Sequence, residues 1–124
     1  MEKDKTYNFL PNIIEFGMTG NLTKVNFILK LKIEKLKIFY ISRNNLSSLS
    51  ILKNIKFEHL EEFWASFNEI TDLEEIENLQ SKETIHLINL KGNKITDINN
   101  IFEILKPFKN LKEINLEDNP IINN

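Results

Sequence analysis

Any acid–base or metal chemistry in this chain would have to start from its two histidines, His59 and His86. They are 27 positions apart, and no Asp or Cys stands at ligand spacing around either, so neither zinc coordination nor general-base catalysis has a donor set to work with. Cysteine is absent, which removes disulfides and thiolate nucleophiles together. Gly17, Gly20 and Gly92 form neither a G-x-G-x-x-G nor a G-K-[ST] phosphate loop. No serine is placed with a histidine and an acid in a recognisable hydrolase motif. The densest basic stretch is Lys30, Lys32, Lys35 and Lys37, interrupted by Glu34, and it reads as a solvated charged face before it reads as an RNA-phosphate contact. The expectation is a protein that is not an enzyme, carries no cofactor or metal and does not bind nucleic acid directly.

What remains is recognition chemistry, and the elements that position it are set by a repeat. Leu36-x-x-Phe39-x-Ile41-x-x-Asn44-x-Leu46-x-x-Leu49 recurs as Leu60-x-x-Phe63-x-Ala65-x-x-Asn68-x-Ile70-x-x-Leu73. It recurs again as Ile85-x-x-Ile88-x-Leu90-x-x-Asn93-x-Ile95-x-x-Ile98, and a further copy opens at Leu111-x-x-Ile114-x-Leu116-x-x-Asn119-x-Ile121. A weaker copy, Ile13-x-x-Phe16-x-Met18-x-x-Asn21, precedes them, so successive anchors from Asn21 to Asn119 are 23, 24, 25 and 26 residues apart. A period of 20–29 residues with this apolar spacing is the pattern of a leucine-rich repeat. The fold class expected is α/β: a leucine-rich-repeat solenoid with short parallel strands on its concave face and helical or 3-10 segments on its convex face. Residues 1–124 form a single domain, with an N-terminal cap and weak first repeat over 1–20 and about four repeats over 21–124.

Within each copy, the first, fourth and sixth positions point into the core and the third, fifth and seventh point out. The outward column is then Glu15, Gly17 and Thr19; Ile38, Tyr40 and Ser42; Glu62, Trp64 and Ser66; Leu87, Asn89 and Lys91; Glu113, Asn115 and Glu117. Tyr40 and Trp64 become neighbours on adjacent strands, flanked by Ile38 and Leu87, with Glu62 and Asn89 in the same column. An aromatic pair among apolar and acidic residues has the composition of an interface hot spot. The anchors Asn44, Asn68, Asn93 and Asn119 form a structural ladder whose side chains bond backbone groups buried at the turns. After Asn93, the residues Ile95, Ile98, Ile101, Phe102 and Leu105 close the core from the convex side, the last four at helical spacing, and Lys106-Pro107 ends that helix. Val25, Ile28, Leu29, Ile33 and Leu36 also read as helical, although Leu29, Leu31 and Ile33 alternate as a strand would, and Phe9, Leu10, Ile13, Ile14 and Phe16 read as a cover for the N-terminal end of the core. No evident C-terminal cap follows Asn119-Pro-Ile-Ile-Asn-Asn, so the last repeat is expected to be covered by a partner or by further chain.

Length and composition agree with this reading. The chain has 124 residues, 41% hydrophobic and 27% charged, enough for one core. The net charge of −2 supplies no long-range field toward nucleic acid or an anionic membrane. No apolar run approaches the length of a membrane span, and no secretory leader follows Met1, which points to an intracellular location, cytoplasm or nucleus. Lys, Asn and Ile number 15, 18 and 19 against one Ala and one Val, a bias that makes an Asn or Lys informative only by its position.

From about Ile13 to Asn124 the chain resembles the leucine-rich-repeat superfamily, and its N-x-I-x-x-[LI] turns resemble the short intracellular subfamily. One local match is narrower: Leu60-Glu-Glu-Phe-Trp-Ala-Ser-Phe-Asn68 is similar to a repeat of the leucine-rich regulatory subunit of protein phosphatase 1. That resemblance implies a phosphatase catalytic subunit as partner, with contacts through Glu62 and Trp64. The region from Ile85 to Asn119 is similar also to spliceosomal and dynein-associated relatives. These imply the alternative, a constitutive subunit of a large assembly (spliceosomal, ribosomal or axonemal) docked through its uncapped end.

Overall fold

Each copy of the repeat contributes one strand of three residues, because only the segment between the first apolar position and the anchor Asn can lie flat against its neighbours. The computed structural model describes residues 15–17 and 35–123. Five strands form one sheet: β1 (Glu15–Gly17), β2 (Ile38–Tyr40), β3 (Glu62–Trp64), β4 (Leu87–Asn89) and β5 (Glu113–Asn115). Their order in the sheet is their order in the chain, and every neighbouring pair is parallel. The fold is therefore mixed α/β with a parallel sheet, and parallel neighbours require a crossover between each strand and the next.

The crossovers lie on one side of the sheet. Between β2 and β3 the chain makes a 3-10 turn at Ser50–Asn54, between β3 and β4 another at Glu74–Asn78, and between β4 and β5 a short α-helix at Ile101–Leu105. These segments pack against one another in sequence order as the strands do. A final turn of helix spans Pro120–Asn123. The core fills the space between the two layers. Leu36, Phe39, Ile41, Leu60, Phe63, Ala65, Ile85, Ile88 and Leu90, the inward positions of three consecutive copies, are all completely buried. Phe39 stacks on Phe63 at 6.2 Å between ring centroids and meets Phe57 edge-on at 5.1 Å. The turns close the core with Leu49, Ile51, Leu52, Leu73, Ile76, Leu79, Ile101 and Ile104. In the last copy the equivalent positions Leu111, Ile114, Leu116 and Ile121 are only partly buried.

The helix before β5 differs from the helical spacing expected of it. Ile101 and Ile104 are the buried residues, whereas Phe102 is 83% exposed and Leu105 is partly buried. Phe102 therefore does not close the core. A helix of five residues presents barely more than one turn, and the pair at i and i+3 satisfies its contact with the neighbouring layer, which turns Phe102 outward. The helix stops at Leu105 with Lys106 as its C-cap, directly before Pro107. Of the expected N-terminal cap, Phe16 lies in β1 beside Phe39, and of the expected N-terminal helix, Leu36 is buried just before β2 and outside any helix; their other residues, with Thr19, Lys30 and Lys32, lie outside the described residues. Among those residues, no helix is long and apolar enough to cross a membrane.

Candidate functional site: the aromatic face of the sheet

The sheet has three registers, and the face opposite the core is built from two of them. The first runs Glu15, Ile38, Glu62, Leu87, Glu113; the third runs Gly17, Tyr40, Trp64, Asn89, Asn115; the middle register is the core one. Three-residue strands alternate their side chains, so the first and third residues of each share the outer face. The register places Tyr40 directly beside Trp64, their ring centroids 5.5 Å apart and tilted by 38°. Both rings are half-buried. Gly17 continues the row on the other side of Tyr40: a Cβ there would come within 3.0 Å of the Tyr40 Cβ, so the missing side chain leaves room for the tyrosine to lie across β1. Glu62 is fixed from within its own strand, since the Trp64 indole Nε1 donates to its Oε1 at 2.9 Å. Ile38 and Leu87 flank Glu62 in the first register, both half-buried.

Asn89 stands beside Trp64 but takes a different part. It is buried, and its Oδ1 accepts the backbone N–H of Lys91 at 3.0 Å, a local turn bond that holds the exit of β4. Asn115 makes the same bond one strand later, to the N–H of Glu117 at 2.9 Å.

The anchor asparagines fix the sheet from below and set the spacing of this face. Asn68 Oδ1 accepts the backbone N–H groups of Asn44 and Leu46, while its Nδ2 donates to the carbonyls of Ile41 and Ala65. Asn93 repeats this with the N–H of Ile70 and the carbonyls of Ala65 and Leu90. Asn119 does so with the N–H of Ile95 and the carbonyls of Leu90 and Leu116. Asn44 donates to the carbonyls of Ile41 and Ser42. Asn68, Asn93 and Asn119 each tie two successive turns whose backbone groups have left the ladder and would otherwise be buried without partners. Among the described residues, no buried side-chain N or O lacks a hydrogen-bond partner.

Sequence spacing missed the residue before each anchor. Arg43, Phe67, Gly92 and Asp118 all have positive φ, at 60°, 53°, 73° and 57°. This left-handed step turns the chain out of the strand and aims the side chain along the sheet's outer rim. There the Arg43 guanidinium lies over the Phe67 ring, 4.3 Å from its centroid. Phe67 in turn covers Gly92, where a Cβ would come within 2.5 Å of the ring. Ser42 and Ser66 join the two rows by a hydroxyl hydrogen bond of 2.8 Å. The trace of this in the sequence is slight: Gly92 stands where the neighbouring copies carry Phe67 and Asp118, which leaves space for the Phe67 ring.

No family model, no curated protein and no solved structure matches the chain. The remaining chemistry-bearing residues are scattered. His59 is exposed and His86 half-buried at the opposite rim from Arg43, where its backbone carbonyl accepts from Lys112 and Glu113. Among the described residues, no cluster of His, Asp and Glu could hold a metal ion. Lys37 pairs with Glu61 at 3.5 Å and Lys35 is exposed. Chemically, the outer face offers two adjoining aromatic rings, apolar neighbours and an oriented carboxylate.

Proposed function

We propose that the chain is a leucine-rich-repeat solenoid of the short intracellular type, a non-catalytic module that binds a protein partner through its concave strand face. The observation that carries this reading is the Tyr40–Trp64 pair, 5.5 Å apart on the side of the sheet away from the core, with Ile38, Glu62 and Leu87 in the adjoining register. The solenoid part rests on the period of the sequence together with strands stacked in chain order and turns stacked behind them. Apolar and aromatic burial at the pair supplies affinity, and Glu62 supplies orientation. A phosphatase catalytic subunit is the partner to test first, because the segment Leu60–Asn68 resembles a repeat of a phosphatase regulator. The deciding experiment is affinity purification of the tagged chain from its native cells beside Trp64→Ala. A defined partner that is captured by the parent chain and lost in the variant supports the reading; partners retained in the variant place binding elsewhere.

A further inference from the structure

The outer face has a charge pattern that narrows the chemistry of its occupant. Its first register alternates acid and hydrocarbon from strand to strand: Glu15, Ile38, Glu62, Leu87, Glu113, with no cation in the row. Two cations at the exit rim of this face, Lys91 and Arg43, are engaged by neighbours. Lys91 lies 3.4 Å from Glu117 and 3.9 Å from Asp118, and Arg43 is stacked on Phe67. Glu62 has one carboxylate oxygen held by the Trp64 indole N–H, and among the described residues its Oε2 has no partner. A half-buried carboxylate with a free oxygen beside two tilted aromatic faces presents to a ligand both a negative charge and a π-surface.

We infer that this face receives an arginine side chain from an extended segment of the partner protein, the guanidinium lying on the Tyr40–Trp64 pair and donating to Glu62. Arginine suits the site better than lysine because a planar guanidinium can stack on a ring while its edge N–H groups reach a carboxylate. The chain already makes half of this contact itself, with Arg43 over Phe67 on the same two turns. The acids of the row sit two strands apart, roughly 10 Å, which an extended segment covers in about three residues. A second arginine three residues along then meets Glu113 when the segment takes the polyproline II form of extended chain, whose three residues per turn return side chains i and i+3 to one face. This inference rests on the binding-face reading above and specifies what that face binds.

Trp64 is the sole tryptophan, so its emission reports on the site directly. The probe is the capped hexapeptide Ala-Arg-Ala-Ala-Arg-Ala, titrated at low salt beside versions carrying citrulline or lysine in place of arginine. The expected result is a saturable change in Trp64 emission, about tenfold weaker for citrulline and weaker for lysine, and diminished by added salt. Glu62→Gln keeps an acceptor for the indole and is expected to weaken the arginine peptide about fivefold to tenfold while leaving thermal unfolding unchanged. Tyr40→Leu provides the second variant and weakens it through loss of the π-surface. Equal response to citrulline, no saturable response, or unaltered affinity in Glu62→Gln overturns the inference. If the arginine peptide fails while Trp64→Ala still releases the purified partner, the face binds something other than arginine and the broader reading stands. If Trp64→Ala releases nothing, the broader reading falls as well.

Discussion

The middle register of the sheet and the register beside it occupy the same strands yet follow different rules. In the middle, Phe39, Phe63 and Ile88 are completely buried and interchangeable in kind, and the same is true of the flanking inward positions Leu36, Leu60 and Ile85. One residue further along, Gly17, Tyr40, Trp64, Asn89 and Asn115 share a row in which size and polarity change at nearly every step. The inward residues must pack against the copy before and the copy after, so one solution is reused at each period. The outward residues answer only to their immediate neighbours and to whatever binds there, and individuality collects on that side. The same contrast appears along the core: three copies are sealed, while Leu111, Ile114 and Leu116 of the fourth remain partly exposed because among the described residues no further strand lies beyond β5.

Substitutions on either side of the sheet should break this contrast in different observables. Phe63→Ala empties a site between two sheet neighbours and removes the stacking with Phe39, so urea unfolding should show a loss of about 3–5 kcal/mol. Asn68→Ala removes the acceptor for two backbone N–H groups and the donor for two carbonyls; a loss of about 2–4 kcal/mol is expected by the same measurement, although the side chain buries almost no hydrocarbon. Gly92→Ala places a Cβ into the Phe67 ring at a φ of 73°, and about 1–2 kcal/mol should be lost. Trp64→Ala should cost about 1 kcal/mol of stability or less and yet abolish capture of a partner, read by unfolding and affinity purification in parallel. If its unfolding loss instead rivals that of Phe63→Ala, the outer face is part of the fold's support and the contrast between the two registers fails. Lys94→Ala removes an exposed ion pair with Glu69 at 3.0 Å and should change stability by no more than about 0.5 kcal/mol.

How much was legible in the sequence follows from how locally each feature is determined. The inward apolar positions and the anchor asparagines could be read because each recurs at a fixed offset, and their burial and turn-bridging bonds lie at those offsets. Phe102 was misread because helical spacing in a five-residue helix allows more than one face, and only the docking of Ile101 and Ile104 chooses between them. The rim stack of Arg43, Phe67 and Gly92 went unread because its meaning lies in the relation between three copies, each residue unremarkable within its own.

The sequence by itself determined the period, the strand positions, the inward residues and the asparagine ladder, since a motif that pays the same hydrogen-bond and burial requirements at every turn must repeat its residue types. It also determined that Tyr40 and Trp64 share a row, because register follows from equal offsets to the anchor. Only the tertiary structure decided that Glu62 is held by the Trp64 indole with its other oxygen unpartnered among the described residues, and that Asn89 is buried against its own loop. It alone decided that Arg43 is consumed by Phe67. Those outcomes depend on rotamers chosen among neighbours from different turns, which no single repeat specifies.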